Sequence, residues 1–345
     1  MSAPIILCDT AGMSRERWLE CRMHGPKGDI PYTLGGSDIA AIFGVSPWTT
    51  PLELWRIKKG LMEPPVKANA SQLQMGHYLE PIAAQLYADK TGDTVIVDTN
   101  LYQHADHPYA LGNFDRRIVR KSDGANGILE CKSTSYHKAD AWAMGAFPLY
   151  YEFQLRYYLA IADVEFGHFA AFWGNNPDTD FVCPGLVRDK EKEDIIFQKC
   201  DEFIWSLEHD KPPTMEDVAP KLALESLARI YGNSVPATPT IEFDGSYEKA
   251  LRRIAFLQDE ISQHNATARK LEKEVEAHSV RIAELMKENE RGVLETTKDK
   301  LLIDFVTKSK TTVDKDKLKE LYPTVFDDVQ KTTYSRKVKV SIATV

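Results

Sequence analysis

The sequence predicts a mixed α/β fold for residues 1–210, followed by a long helix and a small α+β tail. In the first part, segments with apolar residues at helical spacing alternate with short runs typical of strands. From Ser246 to Arg291, by contrast, the chain contains neither Gly nor Pro. We therefore expect four parts: an α/β core at 1–210, a linker at 211–245, a long helix at 246–292 and an α+β tail at 293–345.

The composition is that of a globular protein with a sizeable core. The chain has 345 residues, of which 43% are hydrophobic, so it can form one large or two modest domains. No apolar run approaches the length of a membrane-spanning helix, and Ile5–Cys8 is too short for a signal peptide. The five cysteines are scattered without a C-x-x-C pair, which argues against a zinc, iron–sulfur or disulfide framework and fits a reducing cytoplasm.

The charge distribution leaves a nucleic-acid partner open. The net charge of −8 argues against such a partner at first. A metal-dependent nuclease, however, needs acidic residues at its centre, and an acidic protein can still have a local basic channel. One basic cluster fits either a solvated strand edge or a DNA contact: Arg116, Arg117, Arg120 and Lys121.

Helices are predicted from apolar spacing and from start and stop signals. Ser37 fits an N-cap with Gly44 as the stop, and Thr50 to Glu53 form a capping box with Pro at the first helical position. Pro81 would kink or start the helix around it. The predicted core helices are 15–22, 37–43, one that starts at 50, 72–90, one around 138–143, 149–162 and 189–208.

Two of the predicted strands form an acidic hairpin. Residues 112–115 and 128–134 are predicted as strands and residues 122–127 as the turn between them. Residues two apart in a strand share a face, so Glu130 and Lys132 point the same way and Cys131 points opposite. The hairpin also brings Asp115 level with Glu130. Other predicted strands are 95–97, 101–102, 165–173 and 181–183.

Asp115, Glu130 and Lys132 would therefore converge on one small patch. Carboxylate oxygens are the ligands that Mg²⁺ prefers, and a nearby lysine can position and polarise a water molecule. This is the equipment for hydrolysing a phosphodiester. An acid-x-lysine pair alone is also typical of a surface salt bridge, and the residues by themselves leave both interpretations open.

Several motifs follow one another in the first 160 residues. They are Tyr32–Ile42, Ser46–Trp55, Met75–Glu80, the acidic hairpin and Tyr151–Tyr157. In this order they resemble the YqaJ-like viral recombinases, relatives of the phage lambda exonuclease within the PD-(D/E)xK nuclease superfamily. The resemblance spans roughly residues 14–210 and implies a restriction-endonuclease-like core, a twisted mixed sheet flanked by helices with the site at one sheet edge.

The resemblance implies a role for each catalytic residue. Asp115, Glu130, Glu80 and the carbonyl group of Cys131 would hold Mg²⁺, for which Mn²⁺ could substitute. Lys132 would orient the attacking water and offset charge in the transition state. Gln154, on the following helix, would hold the water or the substrate backbone.

It also implies DNA contacts. Ser37 would lie near the scissile or terminal phosphate at a helix N-terminus, and Arg22 of the Trp-x-x-x-Arg pattern would bind a 5′ phosphate. The loop 25–31 before Gly35 is longer than the family's usual pattern. Tyr157, three residues after Gln154, would share its helix face.

Three further aromatic side chains have two interpretations each. His77 could bind metal, as in RecB-like relatives, although a solvated or core histidine is the simpler interpretation. Trp48 and Trp55 could be platforms for base stacking, but core packing is the simpler interpretation for both.

The resemblance implies a Mg²⁺-dependent 5′→3′ exonuclease that acts on double-stranded DNA and leaves 3′ single strands for recombination by strand annealing. It also implies a homo-oligomer, often a ring-shaped trimer, a RecT-like annealing partner and a phage or prophage gene expressed in the bacterial cytoplasm. The alternatives are a structure- or site-specific endonuclease and a recombination scaffold that only grips DNA.

The long helix carries a heptad pattern from Ile254 to Leu285, interrupted by His264, Ala268 and His278. Unbroken, this helix would be about 70 Å long. We expect the seam to serve self-association or partner docking. The tail is predicted to contain strands at 301–306 and 337–340 and a helix at 315–321.

Overall fold

The chain divides into two units, residues 1–232 and 233–345. A computed structural model describes residues 3–64, 70–232 and 240–329. The first unit is a mixed α/β structure. Within residues 240–329, the second contains one long helix, a β-hairpin and two short α-helices.

Eleven strands are present in the part of the chain that the structure describes. In chain order they are β1 Ile5–Asp9, β2 Thr94–Ile96, β3 Asn100–Gln103, β4 Leu111–Gly112, β5 Arg116–Val119, β6 Asn126–Ser133, β7 Phe166–Phe172, β8 Phe181–Val182, β9 Gly185–Val187, β10 Arg291–Glu295 and β11 Lys300–Asp304.

The described residues also form ten α-helices. They are α1 Arg15–His24, α2 Gly36–Ile42, α3 Pro51–Lys58, α4 Ala70–Thr91, α5 Leu149–Ala162, α6 Lys190–Glu208, α7 Pro220–Tyr231, α8 Glu248–Met286, α9 Lys315–Leu321 and α10 Pro323–Val329.

The main sheet is mixed, as the sequence predicts. Its strand order is β2-β5-β6-β7-β8, and β9 also pairs with β7. Strands β6 and β7 are parallel, whereas the other pairs in this sheet are antiparallel. A parallel pair needs a long crossover connection, and α5 forms its helical part. A smaller antiparallel sheet, β1-β3-β4, lies beside the start of α2 through a bridge between Leu34 and Ala110.

Helices cover the central strand β6 on both faces. Ile128 belongs to the larger apolar core, which includes Leu155 and Leu159 of α5. Leu129 belongs to a second core, which includes Ala83 of α4. A strand covered on both faces has apolar residues on both. This explains why two apolar residues, Ile128 and Leu129, stand next to each other in β6 before its charged end.

The starts of two helices differ in how well the sequence predicts them. The capping box at Thr50 is confirmed, with Glu53 N–H donating to Thr50 Oγ1 and Thr50 N–H to Glu53 Oε2. The prediction of Ser37 as N-cap is wrong. Helix α2 begins one residue earlier, because Asp38 reaches back to accept a hydrogen bond from Gly35 N–H at 3.0 Å.

Two further predictions, the break at Pro81 and the helix around 138–143, differ from the structure. Helix α4 continues from Ala70 to Thr91 with Pro81 inside it, so this proline does not end the helix. Residues 136–145, predicted around 138–143 as a helix, form 3₁₀ turns with non-helical backbone at Ala143 and Met144. Met144 has a φ of 56°, a left-handed conformation that interrupts regular helix.

The predicted linker 211–245 contains a packed helix. The Ser226 hydroxyl of α7 lies 2.8 Å from the Thr50 hydroxyl, and Arg229 donates to the buried Glu53 carboxylate at 2.6 Å. These contacts attach α7 to the start of α3. The first unit therefore continues to Gly232 rather than ending near residue 210. The predicted Pro-containing linker segment at 235–239 lies outside the described residues.

In the second unit, α8 ends at Met286 rather than near Arg291. The prediction that this helix ends at Gly292 is wrong, because Gly292 lies in β10 and pairs with Ile303 of β11. Met286 is buried next to Gly292, where the chain turns back. Helix α9 has the predicted bounds, and the predicted strand 337–340 lies outside the described residues. Among the described helices, none is long and apolar enough to cross a membrane.

Candidate active site

Strands β5 and β6 bring the predicted acids and lysine together. Asp115 comes directly before β5, and the pairing of Arg116 with Leu129 places Asp115 beside Glu130. Asp115 Oδ2 accepts a hydrogen bond from Cys131 N–H at 2.8 Å. The predicted convergence of Asp115, Glu130 and Lys132 is therefore present in the structure. They lie toward the end of the central strand, not on an edge strand of the sheet.

Glu130 is at the centre of this group and is only 2% exposed. Its Oε1 atom accepts hydrogen bonds from Lys132 Nζ and from Gln154 Nε2, both at 2.6 Å. Its Oε2 atom is buried without a hydrogen-bond partner. Buried carboxylate oxygens are normally paired, so an unpaired one suggests a missing ligand.

Lys132 is held by three neighbours. Besides Glu130, its ammonium group lies 3.3 Å from Gln154 Oε1 and 4.5 Å from the centre of the Tyr151 ring. Gln154 thus contacts both the acid and the lysine, as a group that positions them would. Tyr151 was not singled out from the sequence. Its only signal was its place on the same helix, three residues before Gln154.

Burial and neighbouring charges raise the pKa of two acids of the site, Glu130 and Glu80. Burial, together with the charge of Asp115, raises the pKa of Glu130 to about 7, although Lys132 acts in the opposite direction. Burial and Asp115 also raise the pKa of Glu80 against the effect of Arg116. Burial alone would lower the pKa of Lys132, but Glu130 and Asp115 raise it above its ordinary value. A cation bound among these carboxylates would relieve their repulsion.

Glu80 reaches the hairpin from α4 through an arginine. Arg116 Nη1 lies 2.5 Å from Glu80 Oε1 and also donates to the Asp115 carbonyl oxygen. The sequence placed Arg116 in a basic cluster but did not indicate this bridge. Its position next to Asp115 was the available signal. His77, one turn before Glu80, is exposed.

The donor set fits a hard divalent cation. The charges of Asp115 and Glu80 act on Glu130, and one buried oxygen, Glu130 Oε2, has no hydrogen-bond partner; carboxylate oxygens are ligands that Mg²⁺ prefers. Two of the acids are paired with protein cations, Glu80 with Arg116 and Glu130 with Lys132. In residues 3–64, 70–232 and 240–329, no three His, Cys, Asp or Glu side chains already form a metal-binding cluster. Metal binding, including the role of the Cys131 carbonyl group, stays a prediction.

Arg22 lies close to the start of α2. Its guanidinium group stacks on Trp18 at 4.7 Å, and its Nη2 atom would be 2.3 Å from a Cβ placed on Gly35. Only glycine permits this approach. Thr33 Oγ1 donates to the Arg22 carbonyl oxygen at 2.5 Å, which fixes Arg22 despite the long loop at 25–31.

The start of α2 also touches α5, the helix that carries Gln154. Gly36 packs against the Tyr158 ring and Gln154 Cγ, and Ser37, the next residue, is exposed. Arg22, Ser37 and Gln154 are therefore brought to one region. A phosphate that contacts Arg22 could also contact the N–H groups at this helix start.

The prediction that Tyr157 contacts DNA is wrong. Tyr157 is fully buried, and its hydroxyl group donates to the Leu34 carbonyl oxygen at 2.9 Å. Tyr158 takes the expected place, with its hydroxyl 3.5 Å from Gln154 Nε2. At 3.6 residues per turn, position i+4 is about 40° from position i around the helix axis, whereas position i+3 is about 60° away. Burial, followed by the charge of Glu130, raises the pKa of Tyr158 to about 12.

The two candidate tryptophans differ. Trp55 is 4% exposed, which confirms the core interpretation. For Trp48 that interpretation is wrong, because 55% of this residue is exposed. The motif that contains both residues could not distinguish them.

Two acids and a lysine lie together on adjacent strands of a mixed sheet that is flanked by helices. Residues 17–165, less than half of the chain, match the family model described as the YqaJ-like viral recombinase domain. This part of the chain is therefore similar to YqaJ-like viral recombinase domains, and it contains Asp115, Glu130 and Lys132.

One relative matches nearly the whole chain. It is the uncharacterized protein YqaJ of Bacillus subtilis (strain 168), which is 28% identical over 338 residues, 96% of each chain. This match includes the second unit, which the family model does not cover.

Solved structures with a similar arrangement include two exonucleases. The alkaline exonuclease LHK-Exo of Laribacter hongkongensis is 18% identical with a TM-score of 0.46, over 57% of this chain and 94% of that one. A phage-related exonuclease of Haemophilus somnus 129PT is 14% identical with a TM-score of 0.35, over 51% of this chain and 91% of that one.

Proposed function

We propose that the protein is a Mg²⁺-dependent exonuclease that degrades one strand of double-stranded DNA from 5′ to 3′ and leaves 3′ single strands for strand annealing. The observation that carries the proposal is the hydrogen-bonded group of Glu130, Lys132 and Gln154 beside Asp115, within a YqaJ-like domain. Mg²⁺ at this group would supply Lewis-acid activation of water and neutralise the leaving oxyanion.

The chain's own residues would prepare the reaction. Asp115, Glu130 and Glu80 would hold the cation, with the Cys131 carbonyl group as a further ligand. Lys132 would place a positive charge where negative charge develops on the phosphate. The Gln154 amide, already bonded to Glu130, would orient the water or the DNA backbone.

The proposed direction of digestion depends on Arg22. Its guanidinium group lies on Gly35 at the start of α2, next to the helix that carries Gln154. A terminal 5′ phosphate held there would place the first phosphodiester near Lys132. Ser37, exposed at the same helix start, would contact that backbone.

The remaining parts of the proposal concern partners. Contacts with the DNA backbone would make binding salt-dependent and largely independent of sequence. We further propose that the protein forms a homo-oligomer, for example a trimer. Its partner would be a RecT-like annealing protein in the cytoplasm of a bacterial host.

The first test is digestion of a 5′-labelled linear duplex and a closed circular duplex with Mg²⁺ and with EDTA. The protein should release labelled mononucleotides from the linear DNA, leave the circle intact and stop in EDTA. Asp115→Asn should reduce the rate at least about 100-fold, because it removes a charged ligand. Asp123→Asn, at the exposed hairpin turn, is the matched control.

Each outcome separates the alternatives. Cutting of the circle would favour a structure- or site-specific endonuclease on the same core. Tight DNA binding without digestion would favour a scaffold that only grips DNA. Digestion by Asp115→Asn at the parent rate would contradict the proposed site.

A further inference from the structure

We propose that Trp48, Tyr150 and Tyr151, here called the aromatic row, bind unpaired nucleobases of the DNA strand whose backbone enters the Lys132 site. This inference deepens the proposed function and depends on it for the identity of the strand. The chemical class bound is an unstacked base, recognised by its π-face.

The row is continuous from the surface to the catalytic lysine. The Trp48 ring meets the Tyr150 ring edge-on at 5.0 Å, and Tyr150 meets Tyr151 at 4.4 Å. The ammonium group of Lys132 lies 4.5 Å from the Tyr151 ring. A nucleotide whose phosphate approaches Lys132 would therefore have aromatic rings beside it.

The inner end of the row is rigid. Tyr151 lies 5.8 Å from the fully buried Trp142 ring and 6.3 Å from the Phe169 ring of β7. One residue in the next turn of α5, Phe153, stacks on Phe43 at 4.4 Å. Helix α5 thus fixes both the row and the end of α2.

The outer end is positioned but open. Ser46 Oγ accepts hydrogen bonds from the N–H groups of Trp48 and Thr49, each at 3.2 Å, so the loop holds Trp48 in place. Yet 55% of Trp48 is exposed, and its described ring contact, with Tyr150, is edge-on. An edge-on contact covers at most one face of the indole and leaves the other face for another planar group.

Base stacking accounts for this arrangement better than core packing does. A tryptophan that served only to fill the core would be buried, as Trp55 is at 4% exposure. Aromatic platforms in proteins that bind single strands stack on bases regardless of sequence. Where one strand alone enters the site, the bases at the end of the duplex are unpaired, and such bases need a surface of this kind.

The test compares two oligonucleotides of equal length in EDTA, one of thymidine and one of abasic sites, by fluorescence anisotropy. The full-length protein should prefer the thymidine strand. Trp48→Ala should reduce this preference about 10-fold, with little change in affinity for the abasic strand, since stacking needs a base. Trp48→Phe should keep most of the preference.

The matched control is Trp205→Ala. Trp205 is 46% exposed and stacks on His209 at 4.3 Å, on α6 rather than at the row. This variant should keep the parent's preference. Thermal melting of each variant checks that the fold is intact.

Two results would overturn the inference: a preference for thymidine that Trp48→Ala leaves unchanged, or a loss of affinity for both strands alike. Neither result depends on cleavage, because EDTA prevents metal-dependent digestion. Failure of the proposed nuclease function would instead show in the digestion assay, as a parent protein that binds DNA but does not digest the linear duplex.

Discussion

At the scale of single residues, Glu130 is the side chain on which the hydrogen bonds of the candidate site converge. It is buried, shares one oxygen between Lys132 and Gln154, and has a second oxygen without a partner. Replacing Glu130 therefore changes the positions of the lysine and the amide as well as the negative charge. Removing one member of a buried charged pair commonly costs several kcal/mol, because the other charge is left uncompensated.

The pKa of Glu130 predicts how the stability of the metal-free protein changes with pH. It is raised to about 7 from an ordinary 4.5. A carboxyl whose folded pKa is raised stabilises the fold below the unfolded pKa, and this contribution is lost as pH rises through the folded pKa. Denaturant unfolding in EDTA should therefore give a free energy of unfolding about 1–3 kcal/mol higher near pH 4.5 than near pH 8 from this group.

Glu130→Gln is the variant that isolates this contribution. It retains the shape of the side chain but cannot ionise, so the difference between parent and variant should depend on pH over this window. A difference that stays constant from acidic to alkaline pH would contradict the assigned pKa shift.

At the scale of elements, α7 is an integral part of the first unit. Its Arg229 is the cation paired with Glu53, which is 1% exposed and also caps the start of α3. The Thr50–Ser226 hydrogen bond lies beside this ion pair. The segment that the sequence predicted as linker thus completes the capping of a core helix.

Arg229→Ala should lower the free energy of unfolding by about 2–4 kcal/mol, because it leaves the buried Glu53 carboxylate without its cation. Arg252→Ala is the control: Arg252 forms an exposed i,i+4 pair with Glu248 in α8, and exposed pairs contribute at most about 1 kcal/mol. Both values come from urea unfolding followed by circular dichroism. Equal losses for the two variants would contradict the structural role of α7.

Local sequence signals predicted most elements, and long-range contacts explain the exceptions. The Thr50 capping box and the two-residue period of β6 depend on neighbours in the chain, so both were predictable. The burial of Tyr157 depends on Leu34, and the Glu80–Arg116 bridge joins residues 36 apart in sequence. The exposure of Trp48 depends on where α5 places Tyr150. None of these contacts leaves a periodic pattern in the sequence.

At the scale of the whole molecule, the second unit presents a long apolar stripe. Helix α8 has 39 residues, and large apolar side chains of its heptad seam are exposed, from 42% at Leu257 to 81% at Leu285. Exposed apolar stripes on helices commonly mark interaction surfaces. We propose that this seam mediates assembly of the protein.

Deletion of residues 241–345 should therefore reduce the number of chains in the assembly, obtained from light scattering as the molar mass of the assembly divided by that of one chain. In the full chain, Leu271→Glu together with Val275→Glu should have the same effect, since both side chains lie on the seam and more than half of each is exposed. Glu272→Gln, beside the seam, is the control. An assembly of unchanged size in both variants would rule out the seam as the element of association.

The bridges from Arg116 to Glu80 and from Lys132 to Glu130 have one more consequence. Each acid of the site already has a positively charged neighbour from the protein, directly or one residue away. For the proposed Mg²⁺-dependent enzyme, chelation should leave the chain folded, because Arg116 and Lys132 still offset the charge of these acids. Activity should then stop on chelation and return when Mg²⁺ is added back, without a refolding step between cycles.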